Sequence, residues 1–126
     1  MSFKLKSISE NKCLFLRLID PEYMQVKIEG QNASIFHKVF LYTDIDSLKD
    51  FFNEMADNWK GWKSERKWSS IEGDILIIAT CSLTGTINLS IKLVHNLGCD
   101  DWWEFQTIFV VESGQLEDLA KQMSIL

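Results

Sequence analysis

Two-residue alternation of apolar and polar side chains is the feature that most restricts how this chain can fold. Ile87, Leu89, Ile91 and Leu93 alternate without a break with Thr86, Asn88, Ser90 and Lys92, the mark of a strand with one dry face and one wet face. Met24, Val26 and Ile28 do the same against Gln25, Lys27 and Glu29, and Leu14, Leu16 and Leu18 share a side opposite Arg17. The opening Met1-Ser2-Phe3-Lys4-Leu5-Lys6 alternates too. Strands are expected over residues 2–8, 13–19, 23–29, 34–42, 66–71 and 102–111, where β-branched and aromatic residues recur between turn signals. Ile75 to Ser82 is a nearly continuous apolar run and reads as a central strand covered on both faces.

The period changes twice. Ile45, Leu48, Phe52, Met55 and Trp59 fall three and four residues apart, the stripe of an amphipathic helix. Thr43 or Asp44 is placed to cap it, with Thr43-Asp44-Ile45-Asp46 resembling a capping box, and Gly61 is placed to end it. Near the C-terminus, Ser113 is the expected cap of a short helix that turns Leu116, Leu119, Ala120 and Met123 to the core. Strands joined by short turns pair antiparallel. The predicted class is α+β: a strongly twisted antiparallel sheet of about eight strands, in the order ββββ-α-ββββ-α, with two short helices packed on it. At 126 residues, residues 1–126 form one expected domain.

Composition narrows the function by exclusion. The longest apolar run, Ile75 to Ala79, is five residues, short of the roughly 7 to 15 of a secretory signal and the about 20 of a membrane span. Cys13, Cys81 and Cys99 form no close pair and are odd in number, which suits free thiols in a reducing cytoplasm. The isolated glycines build no phosphate-binding loop, and no nucleophile motif is present. The nearest approach to a metal set is His95 with Cys99, Asp100 and Asp101 across a turn, and an ordinary loop accounts for it. No catalytic residue, metal or cofactor is expected, and the chain reads as a binding protein.

Charge is arranged in blocks. Residues 1–19 sum to +3, 20–58 to −5, 59–95 to +2 and 96–126 to −5, giving the net −5. That balance opposes generic duplex binding, which needs phosphate neutralisation, and favours a basic protein partner. Asp46, Asp50, Glu54 and Asp57 recur at helical spacing and form an expected acidic stripe. Like charges so placed repel. A second acidic group, Asp100, Asp101 and Glu104, surrounds Trp102 and Trp103. Adjacent residues of a strand face opposite ways, so one tryptophan is expected outside the core as an anchor for a partner. These readings nominate Asp46, Asp50, Glu54, Asp57, Asp100, Asp101, Trp102 and Glu104 as partner-binding residues. Trp62, Lys63, Arg66 and Lys67 interleave rings and cations and nominate an alternative, single-stranded nucleic acid or a small ligand. An enzyme of unrecognised type is a further alternative, and it requires a deep pocket holding a perturbed acid or thiol.

The succession Trp59-x-Gly61-Trp62, Arg66-x-Trp68 and Ile71-Glu72-Gly73 before an apolar strand resembles a family of small bacterial domains of unknown function. Thr84-Gly85-Thr86-Ile87-Asn88-Leu89 corresponds to its glycine hairpin, Trp102 or Trp103 to the tryptophan before its last strand, and Leu116, Leu119 and Ala120 to its final helix. The resemblance spans roughly residues 45 to 125 and implies the fold. In size, acidity and lack of chemistry the chain is also similar to bacterial immunity proteins that neutralise toxins. That likeness implies a cytoplasmic protein that occludes the active site of a basic toxin such as a nuclease.

Overall fold

A computed structural model describes residues 2–126; Met1, where the N-terminal alternation begins, lies outside them. The alternating segments are strands: β1 (Phe3–Lys6), β2 (Cys13–Asp20), β3 (Tyr23–Glu29) and β4 (Ser34–Phe40), then β5 (Arg66–Ser69), β6 (Ile75–Cys81), β7 (Thr86–His95) and β8 (Trp103–Glu112). Helix α1 (Ile45–Asp57) separates the two sets, and a 3-10 turn (Ser113–Gln115) leads into α2 (Leu116–Ser124). The fold is α+β in the order ββββ-α-ββββ-α. Its eight strands divide into two antiparallel sheets, β1-β2-β3-β4 and β5-β6-β7-β8.

Each sheet turns one side inward, and register sets the rows of that side. Phe3, Leu16, Val26 and His37 lie opposite one another in the first sheet, as do Leu5, Leu14, Ile28 and Ile35. In the second, Trp68, Ile77 and Ile91 form one row and Ala79, Leu89 and Phe109 another. The apolar side chains of these rows join Leu48, Phe51, Phe52 and Met55 of α1 and Leu116, Leu119 and Met123 of α2 in one core.

The last strand crosses the first sheet. The amide of Ile8, after β1, donates to Val110 O (2.8 Å). Lys12 Nζ, before β2, donates to Thr107 Oγ1 (2.7 Å). Phe105 shares a cleft with Ile28 and Ala33, and Trp103 lies against His37 of β4. Moving back along β8 from Val110 to Trp103 therefore visits β1, β2, the β3–β4 turn and β4 in order. A strand that meets its neighbours in this order runs across them.

The helices cover the side where β1 and β5 lie. Phe52 packs tilted against Phe3 with ring centroids 5.1 Å apart. Trp68 Nε1 donates to Ser47 Oγ (2.8 Å), and that hydroxyl donates to Asp44 Oδ2 (2.8 Å). Asp44 thus engages Ser47 and makes no side-chain bond to the backbone amides, so the expected Thr43–Asp46 box does not form. The helix ends at Asp57, with Asn58 as its C-cap, four residues short of Gly61. Trp59 consequently leaves the buried stripe and stands 54 % exposed, while Phe51 takes a core place. β6 is interior to its sheet, yet only Ile75, Ile77 and Ala79 are buried; Leu76 and Ile78 are half-covered, because no helix lies on the outer side. Cys13 and Cys81 are half-buried, whereas Cys99 is exposed and fills no apolar gap.

The second helix starts differently from its sequence reading. Glu112 caps the turn, not Ser113: the Gln115 amide donates to the Glu112 carboxylate, and the Glu112 amide to Gln115 Oε1 (2.8 Å). This capping box lets one side chain satisfy each orphan donor. Glu112→Ala should lower stability by about 1 kcal/mol, read as a lower urea midpoint at constant slope. An unchanged midpoint would show that the box contributes nothing.

Among the described residues, no helix is long and apolar enough to cross a membrane.

Candidate functional site

Helix α1 places Asp46, Asp50, Glu54 and Asp57 on one exposed side, opposite the buried Leu48, Phe51, Phe52 and Met55. At 1.5 Å per residue the stripe is about 16 Å long. Glu54 Oε2 is 3.4 Å from Arg66 Nη1, a partly exposed pair worth a few tenths of a kcal/mol. Asp46, Asp50 and Asp57 form no ion pair among the described residues. The stripe ends at an open cleft of about 460 Å³ lined by Ala56, Asp57, Trp59, Ser113, Gly114 and Glu117. The half-exposed Trp59 shares this cleft with Asp57 of α1 and Glu117 of α2, and Lys60 Nζ lies 5.6 Å from its ring centroid. Sequence reasoning placed Trp59 in the buried stripe, whereas it is exposed. The shortening of α1 is what exposes it.

The second acidic group sits at the β7–β8 turn, where Asn96 and Gly98 adopt left-handed backbone (φ 51° and 91°). Asp100 and Asp101 are exposed, and Trp102 is 50 % exposed. Asp101 accepts from Asn96 Nδ2 at 3.1 and 3.2 Å, and Glu104 pairs with Lys92 across the strands (3.4 Å). Trp103, the neighbour of Trp102, turns inward. No hydrogen bond or ion pair among the described residues links this group to the α1 stripe, so the eight nominated residues form two surfaces.

Behind that turn the two histidines of the chain meet. His37 belongs to an inward row and His95 pairs across from Trp103. Their rings lie edge-on at 5.8 Å, with His95 stacked on Trp103 at 5.4 Å and His37 against Trp103 at 4.9 Å. His37 Nε2 is 3.0 Å from Val94 O. A carbonyl only accepts, so Nε2 carries a proton. Burial pushes the His37 pKa below its ordinary value of 6.5, with His95 acting the same way; the Val94 bond and Asp74 oppose it. An adjacent open cleft of about 460 Å³ is lined in part by Tyr23, Lys38, Glu72 and Asp74. The histidine pair escaped the sequence reading, although the phase of β4 signalled it: His37 falls in step with the inward Val39.

The ring-and-cation segment after α1 is engaged within the fold. Trp62 Nε1 donates to Ala79 O (3.3 Å), and the Arg66 guanidinium lies 5.5 Å from the Trp62 ring. Arg66 Nε is buried without a partner. Lys63 and Lys67 remain exposed, Lys67 3.7 Å from Glu65.

A family model, DUF6228, described as a family of unknown function, matches residues 9–125. The chain belongs to the DUF6228 family. The match includes most of the first sheet, where the sequence carried no recognisable resemblance. No curated protein matches the chain.

Proposed function

We propose that this DUF6228 domain captures a basic protein on its helical face, and that it acts as a cytoplasmic immunity protein occluding the active site of a toxin such as a nuclease. The observation that carries the reading is the unpaired stripe of Asp46, Asp50 and Asp57 ending on the exposed Trp59. Carboxylates spaced along a helix present the charge pattern that a phosphate-binding protein attracts, which speeds encounter and sets register. A large ring at the end of the stripe supplies the desolvated contact that charge alone does not. Asp100, Asp101 and Trp102 offer a second contact, with Glu54 and Glu104 completing the acidic rims.

The test titrates the intact chain with the toxic domain of a neighbouring gene, where the genome encodes one, or with the basic protein that a pull-down from the native host recovers. Combined Asp46→Lys, Asp50→Lys and Asp57→Lys should weaken binding by about 100-fold or more and flatten its salt dependence. Trp59→Ala should cost about 30-fold while leaving the fold intact. Equal affinity of the charge-reversed variant would remove the helical-face reading.

A further inference from the structure

We propose that the outer face of the first sheet binds single-stranded nucleic acid, a function separate from that of the helical face and independent of it. Residues opposite one another on antiparallel strands point to the same side, so register sorts this face into rows. Lys4, Phe15, Lys27 and Phe36 form one row; Arg17, Gln25 and Lys38 form the next, with Tyr23 and Phe40 beyond. On the other flank lie Lys6 and Glu29. The face gathers five cations against two carboxylates, Glu29 and, at its far edge opposite Tyr23, Asp20, on a chain whose net charge is −5.

The cations stand beside rings. Lys4 Nζ and Lys27 Nζ each lie 5.7 Å from the Phe15 centroid, and Lys38 Nζ lies 4.3 Å from that of Tyr23. Gln25 Oε1 accepts from Arg17 Nη2 (2.8 Å) and Nε (3.1 Å), which fixes the guanidinium on the surface. Phe36 is 57 % exposed, and Tyr42, just past β4, is 63 % exposed. Among the described residues the ion pair on this face is Lys27 with Glu29 (2.7 Å); Asp20 accepts from the amides of Glu22 and Tyr23.

Rings and cations alternate across the row Lys4-Phe15-Lys27-Phe36 and along the outward residues of β2 and β4, with rows about 7 Å apart. A single strand offers the complementary pattern, phosphates for the cations and base faces for the rings. A duplex keeps its base faces stacked, and its dense charge meets the repulsion of the acidic remainder. An acidic protein would use the cations and leave the rings without a role. The α1 stripe of a second copy also complements the charge, but that contact is heterologous and propagates unless it closes into a ring.

The test is fluorescence anisotropy of a short labelled oligothymidylate with the intact chain at low salt. Saturable binding is expected, weakened about 100-fold or more by Lys27→Glu with Lys38→Glu, and about ten-fold by Phe36→Ala. Asp50→Asn should leave it unchanged, which separates this face from the helical one. Circular dichroism of each variant checks that the sheet is intact, and Phe36→Tyr, which keeps a ring, should retain binding. Three results would each overturn the proposal: no binding at low salt, equal binding by the double Lys variant, or duplex bound as tightly as single strand with no effect of Phe36→Ala. A salt-sensitive rise in sedimentation mass, without oligonucleotide binding, would reassign the face to a second copy of the chain.

Discussion

Phe52→Ala should destabilise the protein by about 3–5 kcal/mol and lower its melting temperature by roughly 10–20 °C. The residue is 1 % exposed, and its ring packs tilted against Phe3 at 5.1 Å and edge-on against Phe51 at 5.7 Å. It is therefore the bond between α1 and the edge strand β1, and its removal leaves a cavity at the helix–sheet seam. Its counterpart is Trp59, which shares the helical spacing of Phe52 in the sequence. Because Trp59 lies beyond the end of α1 and half in water, Trp59→Ala should change stability by no more than about 0.5 kcal/mol. Urea titration of both variants reads the difference. A loss below about 1 kcal/mol for Phe52→Ala would mean that α1 is not seated on β1.

Acidification should destabilise the protein through His37. Its folded pKa lies below 6.5 because burial disfavours the charged ring. Above 6.5 the ring is neutral in both states and contributes no pH dependence. As pH falls through 6.5 toward the folded value, the unfolded chain takes up a proton that the folded chain declines. Stability is thus fully present above 6.5 and lost below it. One proton sets the ceiling at about 1.4 kcal/mol per pH unit, and solvent at the neighbouring cleft reduces it. His37→Gln keeps an amide able to reach Val94 O and removes the titration. Melting temperatures at pH 7.5 and 5.5 should therefore differ less in His37→Gln than in the natural chain; equal differences would sink the assignment. His37→Ala, which also loses contact with Trp103, should cost about 2–4 kcal/mol at neutral pH.

Much of the strand and helix content was legible because it is written in short-range period. The runs at Met24–Ile28 and Thr86–Leu93 are strands in the expected phase, and their apolar members are buried. Helix ends were harder to read, since several neighbouring residues can satisfy the same orphan groups. Asp44 bonds Ser47 instead of the backbone, and Glu112 outcompetes Ser113 through its exchange with Gln115. At the surface, the sequence reading weighed charge in linear blocks. The block from residue 20 to 58 in fact divides: Lys27 and Lys38 stand on the outer sheet face, while Asp46, Asp50 and Asp57 line α1.

Alternation and spacing by themselves determined the α+β class, the order of elements, the inward sides of β2, β3 and β7 and the acidic stripe of α1, because each depends on residues within a few places of one another. The tertiary structure alone decided that the strands separate into two crossing sheets, that His37 meets His95 and that five distant cations share one face. Those outcomes depend on interstrand hydrogen bonds and inter-sheet packing between residues far apart in the chain, and a two-residue period is the same whichever neighbour a strand acquires.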